Sequence, residues 1–335
     1  MSAWSTVVLA AGLGKRMKSV WPKVLFPIAG RALVEYPVRA AIELGSEHVV
    51  VVASPEHRDA IGELLGRRFP AARLELVVQD PPRGTGDAAR LGLEPVRSDR
   101  VLILCGDTPL VQMSSLARLV AAVEERAAEL ALLTALVADP TGYGRVLRDP
   151  SGRVLEIKED RDCSVEERTV REVNAGMYVA RVAELRRALG ELTPANAQGE
   201  YYLTDTIAFT ARRGAPVVGV VGDAMDLLGV NDRAQLVEAE ELMFQRIAQR
   251  WGQAGVTVRG GARIDDTVVI EPDATIEHGV RLRGTTHVGA RAVIDVGALV
   301  ADTELGADAR VGAYSVVTGV AIAAGSELPP FTRLP

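Results

Sequence analysis

From the N-terminus to about residue 225, short apolar runs alternate with longer amphipathic stretches. The runs predict strands over 5–10, 48–53, 74–78, 101–104, 130–137, 172–179 and 216–221. The stretches between them predict helices over 31–44, 56–66, 86–93, 113–127, 181–190 and 202–213. VVVV at 49–52 and VLIL at 101–104 carry no polar alternation, as expected of strands covered on both faces. Alternation of this kind predicts an α/β region with a mixed, mainly parallel sheet, whose ligands bind beyond the carboxyl ends of the strands.

Two changes of texture follow. A polar-flanked helix is expected from about Asn231 to Ala254, because Leu236, Ala239, Met243, Ile247 and Trp251 form one stripe at helical spacing. Gly252 and Gly255 mark its end. Beyond it, Ile264, Ile270, Ile276, Leu282, Val288, Ile294 and Val300 recur at six-residue steps, and after one slip Leu305, Val311 and Val317 continue the series. Small residues follow four places on at Ala274, Ala292, Ala298, Ala309 and Ser315. The pattern predicts a hexapeptide β-helix of roughly four coils, each burying its aliphatic residues against the next. The expected division is therefore 1–230, a linking helix at 231–255, and a short repeat region at 256–335.

A chain of 335 residues with 48% hydrophobic and 24% charged residues has the composition of a globular protein with more than one domain. Its net charge of −6 argues against nucleic-acid and membrane-surface partners, which need a basic face. Neither a signal peptide nor a membrane span is visible, and Cys105 and Cys163 have no metal-like spacing. Reduced thiols and a cytoplasmic location are expected.

Charge matters most where it is concentrated. Only four of the 38 basic residues are lysine, and Lys15, Lys18 and Lys23 lie beside one glycine turn, Ala10-Ala11-Gly12-Leu13-Gly14, that closes the first strand. A turn without bulky side chains lets backbone N–H groups approach a phosphate, and cations neutralise it. Arg16 is suited to bidentate phosphate contact and Lys23 to a point charge. The turn is neither a Walker A loop nor a complete dinucleotide fingerprint, and taken alone it also fits a plain strand–helix connection.

Asp107 follows the strand 101–104, where a carboxylate can join Mg²⁺ to substrate phosphates or simply cap a helix. Gln79 follows the strand 74–78, and its carboxamide can read the N3–H/O4 edge that uracil and thymine share. Gly84 and Gly86 allow close approach beside it. Gly144, Glu159 and Asn174 lie in polar, glycine-bearing turns that offer partners for sugar hydroxyls. No Ser/His/Asp or Cys/His nucleophile arrangement is visible, so the chemistry expected is positioning and charge neutralisation.

The segments LAAGLGKRM, PKVLFPIAG, GTGDA, GDTPL, DPTGYGRV, EVNAGMY, NAQGEYYLTD and GVNDR, in this order and ahead of a hexapeptide region, resemble the bacterial bifunctional N-acetylglucosamine-1-phosphate uridylyltransferases/glucosamine-1-phosphate N-acetyltransferases. The resemblance implies a Rossmann-like nucleotidyltransferase domain followed by a left-handed β-helix. It implies Mg²⁺-dependent transfer of UMP from UTP to N-acetylglucosamine-1-phosphate, giving UDP-N-acetylglucosamine for cell-envelope precursors. Arg16 and Lys23 would act on the phosphates, with Leu9, Ala11, Gly12 and Gly14 lining the nucleotide. Gln79 and Gly84 would hold the uracil. Asp107 and Asn231 would ligate Mg²⁺, and Thr85, Gly144, Glu159 and Asn174 would surround the sugar.

The chain departs from the family pattern at Lys15 (usually Thr or Ser), Cys105 (commonly aromatic), Asp87 (usually His) and Ala175 (usually Thr), the last bearing on sugar selectivity. The family's acetyltransferase centre lies in later coils, so that second activity is not expected of these 335 residues. The repeat region implies a homotrimer, with a monomer as the other expectation. Two other readings stand beside the main one: a sugar-1-phosphate nucleotidyltransferase of different sugar or base, and a nucleotide-sugar-binding protein without turnover.

Overall fold

A computed structural model describes residues 4–335. The chain divides into two compact units, one of residues up to 26 and 33–235, the other of residues 27–32 and 236–335.

The first unit is built on a sheet whose main path, by spatial order, runs Val217–Val221, Leu130–Leu136, Glu172–Arg181, Arg100–Cys105, Trp4–Ala10, His48–Ala53 and Leu74–Val78. Glu172–Arg181 runs antiparallel to both neighbours, and the other pairs along this path are parallel. The sheet is thus mixed and mainly parallel, as the apolar runs predict. Every residue of His48–Ala53 is buried, which accounts for the lack of polar alternation there.

The chain leaves Trp4–Ala10 for His48–Ala53 and Leu74–Val78 on one side, then returns to Arg100–Cys105 on the other. This reversal is a topological switch point, and the two loops that diverge there open a crevice at the carboxyl ends of the strands.

Two features differ from expectation. Residues 31–44 are not one helix: Pro27–Ile28 and Arg31–Ala32 pair as a small hairpin, and the helix begins only at Glu35. The strands Arg145–Arg148 and Val154–Lys158, absent from the predicted strands, form a hairpin that joins Glu172–Arg181 off the main path. Short segments beside Gly142 and Gly152 give too little periodicity to separate strand from turn.

The expected helix is Arg233–Gln253, part of the second unit from Leu236 on, with Ala239, Met243 and Ile247 of its stripe buried. Its Glu240 accepts from the N–H of Ala29 at 3.3 Å, and its Arg250 reaches the buried Asp266 at 2.9 Å, which Arg31 also pairs at 2.7 Å. The repeat region forms three parallel sheets with strands stacked coil on coil, the pattern of a left-handed β-helix.

Registers link Ile264, Leu282, Val300 and Val317 in one column, and Ile276, Ile294, Val311 and Leu328 in another. All ten residues of the recurring aliphatic series are buried, as are Ala274, Ala292, Ala298, Ala309 and Ser315. The slip after Val300 shortens one turn by a residue, so His287 pairs with Glu304 in place of a residue 18 further on. No helix among the described residues is long and apolar enough to cross a membrane.

Candidate active site

The crevice at the switch point is a cleft of about 520 Å³. It lies within the first unit and is lined by residues 9–16 with Lys23, Gln79, Gly84, Thr85, Cys105, Asp107 and Asn231, among others. Sequence reasoning named most of these separately; the fold brings them to one opening.

One wall is the glycine turn. Gly14 has φ +58°, and a Cβ built on it would lie 2.6 Å from the Cβ of Lys23, so only glycine lets Lys23 pass beneath the loop. Among the described residues, the N–H groups of Gly12, Leu13 and Gly14 have no hydrogen-bond acceptor. Lys15 and Arg16 are exposed along the same wall, whereas Lys18 faces solvent outside the lining. A ring of unpaired N–H groups and two free cations is suited to a polyphosphate.

Lys23 is different in kind. Its ammonium is buried, ion-paired with Asp107, and donates to Asn231 Oδ1 at 3.2 Å. Asp107 follows Arg100–Cys105 and Asn231 precedes the helix Arg233–Gln253, so two distant segments present oxygens to one cation. The Asn231 N–H is held in turn by Gln235 Oε1 at 2.8 Å. Among the described residues no group of three or more His, Cys, Asp or Glu could hold a metal, so any metal here takes few protein ligands.

At the other end, Gln79 is buried and its amino group donates to the Gly84 carbonyl and to Asp87 Oδ2, each at 3.0 Å. Its Oε1 takes no donor among the described residues. The carboxamide therefore presents an acceptor, not the donor–acceptor pair that its chemistry alone allows. Gly84 has φ +107°, and a Cβ there would lie 2.6 Å from the Tyr201 carbonyl. Tyr201 closes on this loop through two backbone bonds of 2.8 Å, to the Arg83 carbonyl and from the Gly86 N–H. Thr85 Oγ1 accepts from the N–H of Leu203 at 3.1 Å.

Gly144, Glu159 and Asn174 cluster beside the cleft without lining it. The Asn174 N–H donates to the Gly144 carbonyl at 2.9 Å, and both Glu159 oxygens lie 3.5 Å from where a Gly144 Cβ would be. A register shift between Asn174 and Tyr178 re-aims the strand, and Asn174 uses the space to donate to the Tyr178 hydroxyl at 2.7 Å. Thr204 donates to Glu159 at 3.0 Å. Burial raises the Glu159 carboxyl above its ordinary range, an effect that Thr204 offsets in part and that Asp205, Asp162 and Asp160 reinforce.

The Cys105 thiol joins cluster and cleft through the Gly176 carbonyl at 3.4 Å. Burial, with Asp107 adding to it and Lys23 opposing, pushes that thiol up to about 12, so it is no nucleophile. Thr204, Tyr178 and Asp87 were missed as site residues. All three lie in segments that carry the family resemblance (EVNAGMY, NAQGEYYLTD and GTGDA), and Asp87 also has arginines at 83 and 90, one helical turn to either side.

A family model described as the MobA-like NTP transferase domain matches residues 6–197. A relative from Sorangium cellulosum named "Bifunctional protein GlmU" is 48% identical over 335 residues, covering 98% of this chain and 71% of the relative. Relatives of the same name from Anaeromyxobacter dehalogenans and Caldanaerobacter subterraneus are 43% and 40% identical over 98% of the chain, which spans 68% and 71% of their lengths. A crystal structure from Bacillus anthracis, described as a glucose-1-phosphate thymidylyltransferase in complex with sucrose, shares the fold. Its TM-score is 0.61 at 21% identity, over 72% of this chain and 95% of that one. Identity of this order over nearly the whole chain places the chain in the GlmU family, as a nucleotidyltransferase acting on a sugar phosphate.

Proposed function

We propose that the chain transfers UMP from UTP to N-acetylglucosamine-1-phosphate, releasing pyrophosphate by direct displacement. The observation that carries this reading is the convergence of Lys23, Asp107 and Asn231 under a loop whose N–H groups are unpaired. An oxygen of the sugar phosphate attacks the α-phosphorus of UTP. The bond to the β-phosphate breaks, and its electron pair leaves with pyrophosphate.

Asp107 and Asn231 would hold Mg²⁺. The fit rests on the two oxygens already sharing one cation, the Lys23 ammonium, and on the preference of Mg²⁺ for few protein ligands with water and phosphate oxygens completing its shell. When bound, the ion supplies charge neutralisation across the transferred phosphate. Lys23, beside both oxygens, would pair with a phosphate oxygen. The Gly12–Gly14 N–H groups, Lys15 and Arg16 receive the charge that builds on pyrophosphate.

Gln79 Oε1 accepts from the base N3–H, and the Gly84 N–H, free of any acceptor among the described residues, donates to O4. Thr85, Gly144, Glu159 and Asn174 bind the sugar, with Glu159 as acceptor for a hydroxyl. The reading is tested by pyrophosphate release from the purified chain. Release that requires UTP, N-acetylglucosamine-1-phosphate and Mg²⁺ together supports it. Absence of release, or equal rates with other sugar phosphates or with dTTP, refutes it.

A further inference from the structure

The base end of the cleft holds a charge cluster that the proposed reaction does not use. Asp87 is buried at the first turn of the helix Thr85–Leu93, a place where a carboxylate is favoured by the helix dipole. Its Oδ1 takes Arg83 at 2.9 Å and Arg90 at 3.0 Å, and its Oδ2 takes Gln79 Nε2 at 3.0 Å. Burial alone would raise this carboxyl, but the hydrogen bonds from Gln79, Arg90 and Arg83 hold it below its ordinary value. Asp87 is therefore ionised at neutral pH and can only accept.

That fixes Gln79. Its amino group faces two acceptors, Asp87 Oδ2 and the Gly84 carbonyl, and one hydrogen is available for each. Rotating the carboxamide by half a turn would set Oε1 against both of them at the same distances, one of them charged. Only one orientation is therefore allowed, and it turns Oε1 toward the base.

We infer that Asp87 is a positioning residue for base selection, locking the Gln79 carboxamide so that the cleft accepts a base with N3–H and rejects one with a bare N3. The inference rests on the reading of the cleft as a nucleotide site. Uracil and thymine carry N3–H, whereas cytosine presents a lone pair at N3 that would meet Oε1 directly. An asparagine at 87 would weaken the lock, because its amide can donate to a rotated Gln79, leaving the Gly84 carbonyl as the one acceptor that opposes rotation.

The test compares kcat/KM for UTP and CTP, with N-acetylglucosamine-1-phosphate and Mg²⁺, in wild type, Asp87→Asn and Arg90→Gln. Asp87→Asn should lower the UTP-over-CTP ratio by about tenfold or more, a change the loss of packing alone does not produce. Arg90→Gln loosens the same cluster yet leaves Asp87 ionised and paired with Gln79, so its ratio should stay that of wild type. An unchanged ratio in Asp87→Asn overturns the inference, as does an equal fall for both nucleotides. So does an equal loss of ratio in Arg90→Gln, which would assign selectivity to the stability of the cluster. If Asp87→Asn does not fold, Arg90→Gln with an altered ratio still overturns it. Failure of the wild type to use UTP would refute the proposed reaction itself, a separate result.

Discussion

The buried ammonium of Lys23 makes a prediction in which stability and activity part company. Asp107→Ala removes the carboxylate and leaves Lys23 with one neutral acceptor, Asn231 Oδ1 at 3.2 Å. The two side chains are only 10% and 23% exposed. Breaking a fully buried pair from one side costs about 3–5 kcal/mol, and an exposed pair is worth about 1 or less, so about 2 kcal/mol is expected here. Most of that cost is the stranded charge. Lys23→Ala added to Asp107→Ala should therefore recover about 1 kcal/mol, even though a second side chain has been lost. Urea denaturation of wild type, both single variants and the double variant closes the cycle. Pyrophosphate release should fall by at least about 10²–10³ in Asp107→Ala and stay there in the double variant. If the double variant is less stable than Asp107→Ala, or if Asp107→Ala unfolds with wild type, then Asp107 does not hold Lys23. The account of a cation site kept ready by an ammonium would then be wrong.

Three further outcomes follow from other parts of the fold. The folded Glu159 carboxyl titrates above its unfolded value, so it binds its proton more tightly in the folded state; stability contributed by that proton is present at low pH and lost as pH rises through the raised value. Glu159→Gln should accordingly stabilise the chain at neutral pH, with the gain shrinking as pH falls in melts across pH, while KM for the sugar phosphate rises. Gly14→Ala forces a Cβ into Lys23 from a left-handed backbone, which should cost about 1–2 kcal/mol in denaturant and lower kcat more than KM for UTP. Ala292→Leu overfills a fully buried position between coils and should lower stability by about 1–3 kcal/mol, with pyrophosphate release unchanged at 25 °C.

What the sequence disclosed, and what it withheld, divides along the range of the interactions. Ile264 to Val317 recur at fixed steps because each coil repeats the same local environment, so the repeat region was readable almost residue by residue. VVVV and VLIL announced covered strands for the same reason. Arg145–Arg148 and Val154–Lys158 are not legible in the sequence, since each is too short to show a period and their turns carry the louder signal. The hairpin of Pro27–Ile28 and Arg31–Ala32, whose second strand falls inside the expected helix 31–44, is not legible because the partners of its turn, Glu240 and Asp266, lie more than 200 residues on. The three clustered lysines show the limit most clearly. Adjacent in sequence and alike in chemistry, they were separable only in prospect: Lys15 borders the cleft in solvent, Lys18 points away from it, and Lys23 is buried. Its two partners come from 84 and 208 residues away. Local pattern could mark the loop as a place for phosphate. Which cation is held in reserve depends on the sheet order that delivers Asp107 to the neighbouring strand end, and on the helix start that delivers Asn231.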